Sequence, residues 1–382
     1  MQKRTVVALA VILAAGPTFA QENSSSVTST GDNNSVTVVQ IGAFNTSNVT
    51  QNGNDNESFA GQDGAENTSD QYQRGDANTA SIQQTGDLNL SVQDQEGLNN
   101  NATATQSGSG NEVAQTQIGE GNTSATSQIG NGNYGEQSQN GFIHLAVSSV
   151  EGSNNRSLQA QYGEDNRGFV THVGNGNYSE QVQDVYFNTT DSYLEGNQNV
   201  SIQWQLGFGN YSTTEAYGSG NYSVQNQYGD INEAHVVQTG NGNLSWQHLE
   251  GANNYAVALQ TGNSNTAYQL TLGESNASEI DQFGDGNRAE QLQGIVNIGG
   301  GYSYDFYTAD NYAGIEQDGF GNRAFQTQTG PGGHYALTIQ NGNGNTATTT
   351  QTGDIHFSTI TQTGNGNTAV VTQSNGASTP AP

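Results

Sequence analysis

The chain has 382 residues, of which 31% are hydrophobic and 11% charged, with 51 glycines and a mean hydropathy of −0.69. Globular domains usually run to about 45–50% apolar and about 25% charged, so neither a conventional enzyme core nor a highly charged disordered chain fits. Seven basic residues face 35 acids, a net charge of −28, which disfavours nucleic acid and anionic membranes as partners, and the absence of cysteine excludes disulfides and thiolate metal sites.

Residues 1–20 read as a secretory leader. Lys3 and Arg4 form a basic start, Val6 to Ala15 a short apolar run, and Thr18-Phe19-Ala20 a cleavage site after Pro17. The apolar run is about half the roughly 20 residues a membrane-spanning helix needs. Export is therefore expected, with no membrane insertion and a mature chain from about Gln21.

From residue 21 to 297 the chain is a repeat. Glycine recurs every 11 residues from Gly31 to Gly284, at 23 of 24 positions, with Val185 the exception. Asparagine follows three residues later at 23 of 24 positions, with His144 the exception. Glutamine commonly stands two residues before the glycine, as at Gln40, Gln51, Gln62 and Gln73. Counting from each asparagine, positions +2, +4 and +6 are small, apolar or amide, and the positions between are mixed. Alternation over about six residues is the period of a strand with one inward face. The G-x-x-N element then reads as the turn, exemplified by Gly75 and Asn78, Gly86 and Asn89, Gly240 and Asn243, Gly342 and Asn345, and Gly364 and Asn367. Both residue types accept positive φ at low cost.

A second period lies on the first. Position +4 is glutamine at Gln71, Gln93, Gln115, Gln137, Gln159, Gln181, Gln203, Gln225, Gln247, Gln269 and Gln291, every 22 residues. In alternate units it is small or apolar, as at Ile82, Ala104 and Val236. Two strands and two turns thus make one coil, and stacked coils bring these glutamines into a continuous ladder. The expected fold is an all-β solenoid of about 15 two-stranded, 22-residue rungs with amyloid-like cross-β stacking. No proline occurs between Pro17 and Pro331, as central strands require. Residues 298–314, rich in tyrosine, fit no register and read as an insert. Repeats resume over 315–376, and 377–382 is a short tail.

The motif Q-x-G-x-x-N-x-A-x3-Q is whole at Gln73, Gly75, Asn78, Ala80 and Gln84, and again from Gln340 and from Gln362. It resembles the curlin repeat of the curli amyloid subunits of Gram-negative bacteria. The resemblance implies export through a curli-type secretion channel, contact with a nucleator, and self-assembly into extracellular matrix fibres that mediate adhesion in biofilms. The chain is about three times longer than usual for such subunits, and the Gly-rich segment that addresses the channel is hardly present between Gln21 and Ser29.

Chemistry of other kinds finds little footing. His144, His172, His235, His248, His334 and His356 are scattered and read as substitutions within the repeat. Acids such as Asp76, Asp87 and Glu120 follow the turn glycine too irregularly for a calcium-binding solenoid. No nucleophile elbow or phosphate loop stands in a fitting context. The sequence therefore points to no enzyme, no cofactor and no metal. A rival to the fibre subunit is a monomeric β-solenoid adhesin that binds a glycan or ice surface, but its regular outward row is missing.

Overall fold

A computed structural model describes residues 9–14, 22–298, 301–304, 310–330 and 332–375. The two ends of the expected leader, residues 305–309 of the insert and the 377–382 tail lie outside them. Among the described residues every regular element is a strand.

Two compact units divide the chain, Met1–Phe187 and Asn188–Pro382. In the first, successive strands alternate between two parallel sheets. One sheet runs from Ser35–Ala43 through Glu57–Ala65 and Thr79–Asp87 to Arg167–Asn175; the other runs from Ser24–Thr30 through Thr46–Asn52 and Thr68–Asp76 to Tyr178–Tyr186. Residue i lies beside residue i+22, as Gln93 beside Gln115 and Gln115 beside Gln137. The second unit is built the same way, with one sheet from Thr189–Asn197 to Phe357–Thr363 and the other from Val200–Phe208 to Thr368–Ser374. Each unit is a β-solenoid, and the two together supply about 15 turns. This is the fold class the 22-residue period implies. Within the expected leader, the Leu9–Ala14 backbone also forms a strand, parallel to Ser35–Ala43.

Burial alternates along most strands, buried at +2, +4 and +6 from the asparagine; in Thr266–Glu274 and Tyr312–Asp318 the alternation breaks, with Leu272, Gly273 and Gly314 buried as well. The inner faces of the two sheets meet directly. Apolar clusters there are small, such as Val36, Val38, Val49 and Ala60 in the first unit and Ala234, Leu249 and Ala256 in the second. Most of the remaining buried side chains are Asn, Gln, Ser and Thr.

Two expectations are corrected. Residues 312–314 are not part of the insert: Tyr312–Asp318 is a strand paired with Ala277–Phe283 and with Tyr335–Asn341. Asn311 fills the usual asparagine position, its backbone N–H donating to Asn276 Oδ1 at 3.1 Å. Thr308 stands where glycine is usual, which hides the register in the sequence. The extra residues include an antiparallel hairpin, Ile295–Ile298 with Gly301–Tyr304.

The second correction concerns the turn. Gly75, Gly86, Gly240, Gly342 and Gly364 have φ between 103 and 117°. The other left-handed residue is the one before the asparagine, such as Ala77 (φ 56°), Leu88 (59°) and Gly242 (65°), and the asparagine itself is not left-handed. Its side chain is committed to the neighbouring coils.

The repeat glycine is demanded by packing as well as by φ. A Cβ on Gly119 would lie 2.0 Å from the Gly141 carbonyl oxygen one coil on, whereas one on Gly110, at φ 65°, would meet nothing within 4 Å. Gly110→Ala should therefore cost about 1 kcal/mol, the strain of one left-handed alanine. Gly119→Ala should cost about 3 kcal/mol or more, because backbone must move. Urea unfolding of the two variants checks this, and equal midpoints would count against the close stacking of the arcs.

Candidate functional site

The groups that recur on every coil are side-chain amides. In the first unit Gln71 Nε2 donates to Gln93 Oε1 at 3.0 Å, and the chain of bonds continues through Gln115, Gln137 and Gln159 to Gln181 at 2.8–2.9 Å. In the second unit Gln203, Gln225, Gln247, Gln269 and Gln291 are joined in the same way at 2.8–3.1 Å, and Gln291 reaches Gln326 across the insert at 3.2 Å. A second column, at +6, links Gln51, Gln73, Gln95, Gln117, Gln139, Gln161 and Gln183. The facing sheet carries its own from Gln40 through Gln62, Gln84 and Gln106 to Gln128.

Each glutamine also ties the two sheets together. Gln73 Nε2 donates to the Glu57 carbonyl at 3.0 Å, and Gln93 Nε2 to the Ser81 carbonyl at 3.0 Å, both on the opposite strand of the preceding half-coil. One NH2 group thus serves two acceptors, its own column and the facing backbone. A buried amide left unpaired would cost about 1–3 kcal/mol, so the paired arrangement excludes slippage between coils.

The asparagines form further ladders, which the sequence reading assigned to turns. Asn78 is fully buried; its backbone N–H and Nδ2 both donate to Asn56 Oδ1, at 3.0 and 3.2 Å, and Nδ2 also reaches the Gly97 carbonyl at 3.0 Å. Asn89, Asn243 and Asn345 repeat the pattern, on Gly108, Gly262 and Gly364 respectively. Asn367 donates to Asn345 Oδ1 at 3.0 Å. The asparagine therefore binds both neighbouring coils. Glutamine columns donate toward the C-terminal coil and asparagine columns toward the N-terminal one, so each coil face carries a defined set of donors and acceptors. The signal in the sequence was the near-invariance of the asparagine, stricter than a turn preference alone requires.

The Curlin associated repeat family model matches residues 31–64, 75–108 and 342–374. These three stretches are similar to the curlin repeat. No curated protein matches it. Among the described residues no group of three His, Asp or Glu is placed to hold a metal ion.

Histidines replace ladder amides at a few positions of the 22-residue coil. His144 imitates asparagine: its backbone N–H donates to Asn122 Oδ1 at 3.0 Å, its ring Nδ1 accepts the Asn166 N–H at 3.2 Å, and Nε2 lies 3.3 Å from the Asn140 carbonyl. The neutral ring does this work, and burial holds its pKa below the ordinary value. His172 occupies a glutamine position beneath Val150, fully buried, with Nε2 2.7 Å from Ser179 Oγ and Nδ1 without a hydrogen-bond partner. Burial lowers its pKa to about 3.

The sign follows from linkage. Below the ordinary histidine value of about 6.5 the unfolded chain gains a proton that folded His172 refuses. Its contribution to stability is therefore complete above that pH and is lost progressively toward pH 3. His172→Gln should remove this component, so that the difference in unfolding free energy between variant and parent grows by about 3 kcal/mol from pH 7 to pH 4. Denaturant titrations at the two pH values measure it; a constant difference would show that His172 titrates in the folded state as it does in the unfolded one.

Proposed function

We propose that the chain is a structural subunit that is exported and assembles with copies of itself into extracellular curli-type cross-β fibres of a biofilm matrix. The observation that carries the reading is self-complementarity along the axis. Every coil offers the next a set of strand-edge groups and amide donors that matches what it accepts from the one before, as at Gln93, Gln115 and Gln137. A surface that repeats by translation pairs with another copy by the same bonds that hold it internally. The apolar run near the start of the chain supports export, and a curli-type secretion channel and nucleator are the partners that the similarity of three stretches to the curlin repeat suggests. The net charge of −28 opposes association at neutral pH and low salt and keeps the unassembled chain soluble. A glycan- or ice-binding adhesin draws less support. One outward column reads Thr79, Asn101, Thr123, Leu145, Arg167 in successive coils, which is not a regular binding row.

The chain from Gln21, concentrated at neutral pH with salt, should form fibres visible by electron microscopy. Their diffraction should show a meridional spacing near 4.8 Å, with strands perpendicular to the fibre axis. A chain that stays monomeric for days with its strand content intact would overturn the fibre reading.

A further inference from the structure

One surface column of the first unit shows how this fold holds a cation. Tyr134, Arg156 and Tyr178 occupy the same outward position on successive coils. The Arg156 guanidinium carbon is 5.1 Å from the Tyr134 ring centre and 5.9 Å from that of Tyr178. Both tyrosine hydroxyls donate to carboxylates two residues on, Glu136 at 2.8 Å and Glu180 at 2.6 Å. Aromatic faces above and below a planar cation, with acids at the rim, suit a guanidinium well.

The second unit repeats this frame without the cation. Tyr255, Ala277 and Tyr312 stand in register on successive coils. Two strand spacings separate the tyrosine backbones by about 9.6 Å, and only a methyl group projects between them. The Tyr312 hydroxyl donates to Glu279 Oε2 at 2.8 Å. Beside Tyr312 the outward position is Gly314, and a groove of about 330 Å³ opens here, its walls including Tyr255, Leu259 and Leu337. Glu279, Asp281 and Glu316 all line it. Glu279 and Glu316 are exposed and Asp281 is half-buried. The strands that build it, Tyr255–Thr261, Ala277–Phe283, Tyr312–Asp318 and Tyr335–Asn341, contain no lysine, arginine or histidine. Three carboxylates in an apolar, aromatic frame thus have no basic residue on their own strands.

We propose that this groove docks an arginine side chain of a basic partner protein, the guanidinium lying between Tyr255 and Tyr312 where Arg156 lies between Tyr134 and Tyr178. Arginine suits the slot better than lysine because its planar head is weakly hydrated and stacks on rings, while the ammonium of lysine is a compact and strongly hydrated charge. The net negative charge of the chain steers such a partner toward it.

The test titrates the full chain, before assembly, into a fluorescein-labelled, end-capped tetra-arginine peptide and follows anisotropy at physiological salt, with tetra-lysine as the comparison. Ala277→Arg supplies the guanidinium from within the chain and should weaken tetra-arginine binding about tenfold, the scale of a desolvated cation–π contact. Glu316→Gln removes an exposed carboxylate without touching the core and should weaken it several-fold, whereas Glu57→Gln, an exposed acid of the first unit, should leave it unchanged. Tetra-lysine should bind the parent chain several-fold more weakly. Unchanged melting of the variants separates lost binding from lost folding. Equal binding by parent, Ala277→Arg and Glu316→Gln, or equal affinity for the two peptides, would overturn the proposal in favour of diffuse attraction to a polyanion.

Discussion

Everything in this structure depends on the buried side-chain amide and its need for partners. A coil of two short strands leaves too little room between its sheets for a conventional apolar core, and the apolar clusters that do form hold three to seven buried residues, many of them alanine. The space is filled instead by Gln, Asn, Ser and Thr, which are costly to bury unless they are hydrogen-bonded. Translation by one coil supplies the missing partners, since each amide meets a copy of itself. In-register parallel stacking is thus the arrangement in which a sequence of this composition can be buried at all. A shift of one residue would turn every inward amide to solvent and every outward acid inward.

The glycines and asparagines follow from the same constraint. Coils can approach to strand spacing at the arcs only where no Cβ intervenes, which Gly119 against the Gly141 carbonyl illustrates. The asparagine three residues later closes the arc by binding the glycine carbonyl of the next coil and the asparagine of the previous one. Where histidine takes over, the outcome depends on how well the ring reproduces the amide. The His144 ring accepts the Asn166 N–H at Nδ1 and places Nε2 3.3 Å from the Asn140 carbonyl, while His172 leaves Nδ1 unpartnered in the interior.

The 22-residue coil and the inward and outward faces were legible in the sequence because they rest on a strict period. What was not legible depended on particular substitutions or on three-dimensional neighbours. Thr308 in place of glycine concealed the strand at Tyr312–Asp318 inside an apparent insert. The asparagines could be read as turn formers, because a preference for positive φ and a ladder role predict the same residue. Only the backbone, left-handed at Ala77 and Leu88 rather than at Asn78 and Asn89, separates the two. The slot between Tyr255 and Tyr312 was hidden as well, since the coil that brings Ala277 beside Tyr312 is 35 residues long rather than 22.

The amide ladders, more than apolar burial, hold each coil to the next. Hydrogen exchange of the glutamine and asparagine side-chain NH2 groups, resolved by nuclear magnetic resonance, tests it directly. The NH2 protons of Gln93, Gln115, Gln137 and Asn78 should exchange as slowly as the backbone amides of the coils that carry them, while those of outward residues such as Gln83 should exchange freely. Fast exchange of the inward NH2 groups beside protected backbone amides would contradict it, and would leave the backbone ladder and the small apolar clusters as the source of stability.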